Sequence, residues 1–320
     1  MVAELTLKTL AEQLAPEEGY NLTALPSLRL LRSNRPLTHT PVLYDPGIVF
    51  VFQGCKRGYW GDDCYVYGEG QFLAVTLPIP FSMETEASAQ EPLLALYCQL
   101  DIPLAATILA KMERAQQHLS AGQDVSVAIE AMPVASAMMA STMDAALSAS
   151  LERLLRVLLD PMEARMLGEA ALAEVYYRVL CGEQRRQLQQ AMVQHSHFGR
   201  IAQVLEHIHH HYAEALEVTT LASLVGMSEP SFYQHFKSVT RYSPMQYVKM
   251  TRLHQARLLM LHERMSAAQA SHAVGYESPS QFSREFRRLF GLAPRQEAER
   301  LRSAYALPPK EEPQRYVASH

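Results

Sequence analysis

The sequence predicts an α+β chain. It reads as a small N-terminal β-barrel or sandwich, a helical segment behind it, and an all-α C-terminal domain with two helix-turn-helix units. Three observations predict this. Between Pro26 and about Leu100, short β-branched and aromatic runs alternate with Gly/Pro turns, with no helical pattern between them. From Asp101 the apolar residues recur at helical spacing. From residue 200 onward, one pattern of short helix, glycine turn and second helix occurs twice.

A chain of 320 residues with 48% apolar and 19% charged residues is long enough for about two domains, each with its own core. No apolar run approaches the ~18–20 residues a membrane span needs. The first residues lack a basic-then-apolar leader. The four cysteines (Cys55, Cys64, Cys98, Cys181) form neither a disulfide framework nor a CxxC zinc pattern. These features predict a cytoplasmic protein. Charge is uneven along the chain. Residues 1–197 carry 14 basic against 22 acidic side chains, and residues 198–303 carry 13 against 9. An acidic front and a basic back point to two tasks, with any polyanion meeting the back.

A short helix is expected near residues 4–14. GIVFVFQG (47–54) and LLALYCQL (93–100) read as strands, and YVYGEGQFLAVTLPIP (65–80) as two strands in a hairpin at Gly68-Glu69-Gly70. DIPLAATILAKMERAQQHLS opens the helical segment. The stripe Leu147, Leu151, Leu154, Leu155 and Leu158 marks a helix ended by Asp160-Pro161, and is expected to form a dimer seam in preference to intramolecular core. Met132, Met138, Met139 and Met143 read as helix packing or loop, or as the lining of an adaptable pocket. The boundaries follow: residues 1–195 for sensing and dimerisation (barrel about 26–100, helices about 101–195), 196–303 for the duplicated domain, and 304–320 as a disordered tail.

The duplicated pattern is LASLVGMSEPSFYQHFKSVTRYSP (221–244) and ASHAVGYESPSQFSREFRRLFGLAP (270–294). Gly226 and Gly275 permit the left-handed backbone of a tight turn between crossed helices. Ser228 and Ser278 stand as N-caps, Ser278 with Gln281 as a capping box, and Pro230 and Pro279 occupy first-turn positions whose amides need no partner. Phe232 and Phe236, and Phe282, Phe286 and Phe290, anchor the second helices to their core. The opposite faces carry Ser231, Tyr233, Gln234 and Lys237, with Arg241 beyond, and Ser280, Ser283, Arg284 and Arg287. Such hydrogen-bonding and cationic groups suit base edges and phosphates in a DNA major groove. The helix between the two units runs roughly from Pro244 to His262. At ~1.5 Å per residue it spans ~28 Å, which with its junctions sets the two faces ~34 Å apart, one turn of B-DNA.

Residues 200–303 resemble the DNA-binding domain of AraC/XylS transcriptional regulators. The resemblance lies in Arg252-Leu253-x-x-Ala256-Arg257, Ala273-x-Gly275-Tyr276, and Ser280-x-Phe282-x-Arg284-x-Phe286-Arg287-x-x-Phe290-Gly291-x-x-Pro294. Arg241-Tyr242 departs from it, because the family often has glycine there. The front of the chain resembles the family's N-terminal domain through Pro41, Tyr44, Pro46, Gln53-Gly54, Lys56 and Tyr65-x-Tyr67-Gly68-x-Gly70-Gln71-Phe72. The resemblance implies a cupin-like barrel with a helical dimerisation segment. It also implies an effector-responsive activator of nearby genes, with double-stranded DNA, a second copy, an unidentified small-molecule effector and RNA polymerase as partners, and with no cofactor. The alternative is a helical protein–protein interaction module carrying a ligand-binding barrel.

A metal-dependent cupin enzyme needs two or three histidines in the barrel, and the β region holds only His39. His195, His197, His207, His209, His210 and His211 lie on a helix read as exposed, with no acidic or cysteine ligands around them. No metal site and no catalytic residues are expected. For sensing, Cys55, Trp60, Cys64 and Tyr67 are the candidates. Lys56 and Arg57 would acidify the Cys55 thiol, and a pocket would draw on Tyr44, Phe50, Phe52, Trp60, Tyr65 and Tyr67, only some of which can face inward.

Overall fold

The computed structural model describes residues 6–120, 136–182 and 197–304. The tail, Met132 and His195 lie outside them, as does most of the stretch joining the two domains.

Helix α1 (Leu7–Leu14) is followed by nine strands: β1 (Gly19–Leu22), β2 (Leu28–Ser33), β3 (Leu37–Leu43), β4 (Gly47–Gln53), β5 (Cys55–Trp60), β6 (Asp63–Gly68), β7 (Gln71–Val75), β8 (Pro80–Glu86) and β9 (Leu93–Gln99). After α2 (Ile102–Ser120), a tenth strand, β10 (Met138–Thr142), pairs antiparallel with β7. The strands form two antiparallel sheets, six strands in the order β1-β2-β9-β4-β7-β10 and four in the order β3-β8-β5-β6. The barrel is therefore open, two sheets facing each other across a shared interior. Two sequence expectations change here. The Gly68-Glu69-Gly70 turn does not close a hairpin: β6 belongs to the smaller sheet and β7 to the larger, so the turn crosses between layers. Met138 and Met139 are strand residues, in a segment too short for its period to separate strand from helix.

The larger sheet is covered on both faces, which explains why β4 is buried at every position. Val49 and Val51 join the cluster between the sheets, while Ile48, Phe50 and Phe52 join a second cluster with α1, α3 (Ala145–Leu159) and α4 (Pro161–Cys181). The Leu147–Leu158 stripe lies wholly in this second cluster. It is intramolecular core and not a dimer seam: the periodicity identified the buried face but not its partner. Asp160 ends α3 and caps α4, accepting from the Met162 and Glu163 amides at 2.8 and 2.9 Å, with Pro161 in the first turn.

The C-terminal domain is all helix: α5 (His197–His211), α6 (Val218–Leu224), α7 (Glu229–Thr240), α8 (Pro244–His262), α9 (Ala267–Ala273), α10 (Pro279–Phe290) and α11 (Pro294–Ala304). Phe232 and Phe236 bury in a cluster continuous with the interior of the N-terminal sheets. Phe282, Phe286 and Phe290 bury against Leu253, Ala256, Met260 and Leu301 in a separate one. Among the described residues, polar contacts from three side chains of the C-terminal domain reach the N-terminal domain. Tyr247 donates to the Pro78 carbonyl, Arg257 donates to the Pro41 carbonyl at 3.0 Å, and Arg241 donates to the Trp60 carbonyl and pairs with Asp63.

Candidate nucleic-acid interface

Each helix-turn-helix is set by its glycine. Gly226 has φ 63° and Gly275 φ 84°, both in the left-handed region. At Gly275 a Cβ would stand 2.3 Å from the Ala213 carbonyl oxygen, so close packing as well as the turn requires glycine there. The caps differ from expectation. Ser278 accepts from the Gln281 amide at 3.3 Å, but the Gln281 side chain turns forward to Glu285 at 3.1 Å and no box closes. Ser228 caps α7 through its position alone. The capping boxes form instead at Ser243 with Gln246 and at Ser266 with Gln269, starting α8 and α9.

With the phenylalanines buried, the other faces of α7 and α10 turn outward. On α7, Tyr233, Gln234 and Lys237 are exposed and Ser231 is half-buried; on α10, Ser280, Ser283, Arg284 and Arg287 are exposed. The Ser283 hydroxyl donates to the Pro279 carbonyl at 2.9 Å, leaving its oxygen as an acceptor. Arg288, next to Arg287, is also exposed; its place one turn after Arg284 was the signal available in the sequence. The 19-residue α8 separates the two units, as its sequence predicts. Arg252 on α8 ties the connection between α5 and α6 to the second unit, donating to the Tyr212 and Glu214 carbonyls at 2.6 and 2.7 Å and to the Gly275 carbonyl at 3.2 Å.

Arg241, where a glycine was expected, ends α7 with φ 68° in the left-handed region. Its guanidinium lies 4.0 Å from the Trp60 ring centroid while pairing with Asp63, so the end of α7 is held by the β5–β6 turn. The histidine-rich helix is less exposed than expected. His209 is half-buried against Tyr247 at 2.7 Å, and desolvation there pushes its ring down to about 3. His207 and His211 stack at 4.4 Å, and no cluster of three metal-ligating side chains exists among the described residues.

The four sensing candidates separate by strand alternation. On β5, Lys56, Gly58 and Trp60 are buried, and Cys55, Arg57 and Tyr59 lie on the other face. Trp60 and Tyr67 join the cluster between the sheets; Cys64 is exposed and Cys55 half-buried on the outside. The expected acidic thiol at Cys55 is not found. Burial and then Glu86 push it up, while Arg57, which would lower it, is paired with Glu86 at 2.5 Å. Cys98 is buried core, its thiol pushed up to about 12 by desolvation. Of the pocket aromatics, Tyr44, Trp60 and Tyr67 belong to the inner cluster, Tyr65 packs against it, and Phe50 and Phe52 face the helices instead.

An open two-sheet barrel joined to a paired helix-turn-helix domain defines a DNA-binding transcriptional regulator with a separate N-terminal domain. The AraC-type transcriptional regulator N-terminus profile matches residues 24–187 and a helix-turn-helix domain profile matches residues 221–300. The chain belongs to the AraC-type transcriptional regulators. It is similar to LumQ of Photobacterium leiognathi, 34% identical over 88 residues (28% of this chain, 36% of LumQ). It is also similar to the transcriptional activator RhaS of an Enterobacter species, 29% identical over 98 residues (31% and 35%). The matched part thus spans about a third of the length of these relatives. In fold it is similar to ToxT of Vibrio cholerae, with a TM-score of 0.55 at 11% identity over 85% of this chain and 97% of ToxT. ToxT with an unsaturated fatty acid bound gives 0.54 at 8% identity over 85% and 93%. No helix among the described residues is long and apolar enough to cross a membrane.

Proposed function

We propose that this chain is a cytoplasmic, non-enzymatic activator that reads a two-part DNA site and answers to a small-molecule effector in its N-terminal domain. The observation that carries the DNA reading is the pair of equivalent outward faces on α7 and α10, one at each end of the 19-residue α8. Ser231, Tyr233, Gln234 and Lys237 read one groove segment and Ser280, Ser283, Arg284 and Arg287 the next, with the serines and lysine also positioning on phosphates. The inward-facing Trp60 and Tyr67 support an effector site between the sheets, and a fatty acid bound in ToxT supports a ligand in this fold. RNA polymerase is the partner that activation requires.

A second copy meets the chain along α4. Met162, Met166 and Leu167 are 65%, 70% and 52% exposed there, on the one helix of the N-terminal domain with such an apolar outer face among the described residues. Light scattering at micromolar concentration is expected to give a dimer, which Met166→Glu dissociates; a monomer in the parent chain rejects this. Genome-wide mapping of protected DNA tests the whole reading. Sites with two subsites one helical turn apart, bound with a steep loss on adding salt, are expected; no specific sites would reject it.

A further inference from the structure

The interior between the two sheets holds polar groups that packing alone does not explain. Lys56 is 1% exposed on the inward face of β5, and no described residue accepts from its amine. The register sets Lys56 directly opposite Tyr67 on β6 and directly opposite Thr85 on β8. Side chains so paired on one face have Cβ atoms about 4.5–5.5 Å apart. Tyr67 is fully buried and Thr85 is 3% exposed, and neither hydroxyl has a partner among the described residues. Three polar heads therefore stand in a row across β6, β5 and β8, all turned toward the same interior.

No carboxylate of the neighbouring strands answers them. On β8, Phe81, Met83 and Thr85 are the inward positions, while Glu84 and Glu86 lie on the other face. There Glu84 accepts from Tyr59 and Glu86 pairs with Arg57. The walls of the interior are apolar, with Val51, Leu73 and Leu93 from the facing sheet and Phe81 and Met83 from the same one. A buried cation flanked by two hydroxyl donors is unfavourable unless something accepts from them. Such a row of donors suits an acceptor with a single negative charge. A phosphate dianion would leave one charge uncompensated in an apolar surround; a neutral carbonyl would leave the ammonium uncompensated.

We propose that the interior of the N-terminal domain binds a monocarboxylate, its two oxygens accepting from Lys56 Nζ, Tyr67 Oη and Thr85 Oγ1 and its apolar body lying between the sheets. This names the ligand class for the effector-responsive reading above and rests on that reading only for its consequence in transcription. Burial keeps the Tyr67 phenol protonated, as a donor must be. The opposite end of the same strand face carries Trp60, four residues on and ~13 Å away at ~3.3 Å per residue. It is outside the carboxylate's own contacts, but its ring is the one under Arg241. A ligand seated on β5 therefore acts on the strand that holds the first reading helix.

The test uses the full chain and a series of sodium carboxylates, from acetate through octanoate to decanoate, with benzoate, and with octanamide and octanol as neutral controls. Binding is read by the emission of Trp60, the single tryptophan, and by thermal melting. At least one carboxylate is expected to bind saturably and raise the melting temperature, with its neutral control at least 100-fold weaker. Lys56→Met keeps the stem and removes the charge, and is expected to fold and to weaken binding at least 100-fold. Tyr67→Phe and Thr85→Val are each expected to weaken it about tenfold. The site is overturned if no carboxylate in the series binds, if octanamide binds as well as octanoate, or if Lys56→Met binds unchanged. It is also overturned if octanal, trapped on Lys56 by borohydride, replaces saturable carboxylate binding. Lost carboxylate binding with protected DNA sites intact rejects this site and leaves the regulator; carboxylate binding without specific DNA sites does the reverse.

Discussion

Arg284 and Lys56 are both basic, and the fold puts them in opposite surroundings. Arg284 stands exposed on α10, where its planar fork can meet a guanine edge in two hydrogen bonds. Arg284→Ala is expected to cost about 1–3 kcal/mol at the specific site and to relax base preference at one position. Unchanged binding in a gel-shift titration would remove Arg284 from the reading face. Lys56 is buried without an acceptor among the described residues, and burial pushes its amine down to about 7 from an ordinary value of 10.5. The sign follows. Between those values the unfolded chain holds a proton that the folded chain lacks, so stability rises as pH climbs from about 7 toward 10.5, and the full cost of the buried charge is present below 7. The shift bounds that cost at about 5 kcal/mol. Without ligand, Lys56→Met is expected to be the more stable chain at pH 7, with its advantage shrinking by pH 9.5. Urea unfolding at the two pH values checks this, and a pH-independent difference would contradict it. The outward face of Arg284 was legible because Phe282 and Phe286 mark the buried side of its helix. The Lys56 row was not, because only the pairing of β5 with β6 and β8 brings Tyr67 and Thr85 alongside it.

The elements divide along the same line. Features that one segment determines were legible: the boundaries of α8, the glycine turns at Gly226 and Gly275, and the Asp160-Pro161 junction, each set by residues within a turn of one another. Features that depend on a distant partner were not. The Leu147–Leu158 stripe identifies an apolar face, but a second chain and the neighbouring α1 and α4 would cover it equally well, and only the packing decides. Gly68-Glu69-Gly70 has the composition of a hairpin, yet β6 and β7 go to different sheets because each finds a long-range partner, β5 for one and β4 for the other. Cys55 and Trp60 lie five residues apart, and the period of two on β5 puts them on opposite faces. This separates the half-buried thiol from the interior and leaves Arg57 to Glu86.

At the scale of the whole molecule, the domains meet through groups whose sequence positions gave no hint of each other. Arg241 holds a left-handed conformation that costs an ordinary residue about 1–2 kcal/mol, and offsets it with the Trp60 ring and the Asp63 carboxylate. Arg241→Gly is expected to leave the melting temperature nearly unchanged, because relief of the backbone and loss of the contact oppose each other. The emission of Trp60 is expected to shift to the red as water replaces the guanidinium. An unshifted spectrum would mean that the contact does not hold the domains together. The Arg252 fastening has a further consequence, one for the DNA. Because α8 is one continuous 19-residue helix between the two units, and Arg252 on it ties the connection before α6 to Gly275 of the second unit, the two outward faces keep one spacing. Each base pair advances the duplex by ~3.4 Å and ~35°, so a single base pair inserted between the two subsites moves one of them out of phase with its helix. Affinity for such a site is expected to fall to that of one subsite alone, and inserting a full turn, which restores the angle but not the distance, is expected to leave it there. A bound sequence is therefore expected to have a fixed internal length even where its central bases vary.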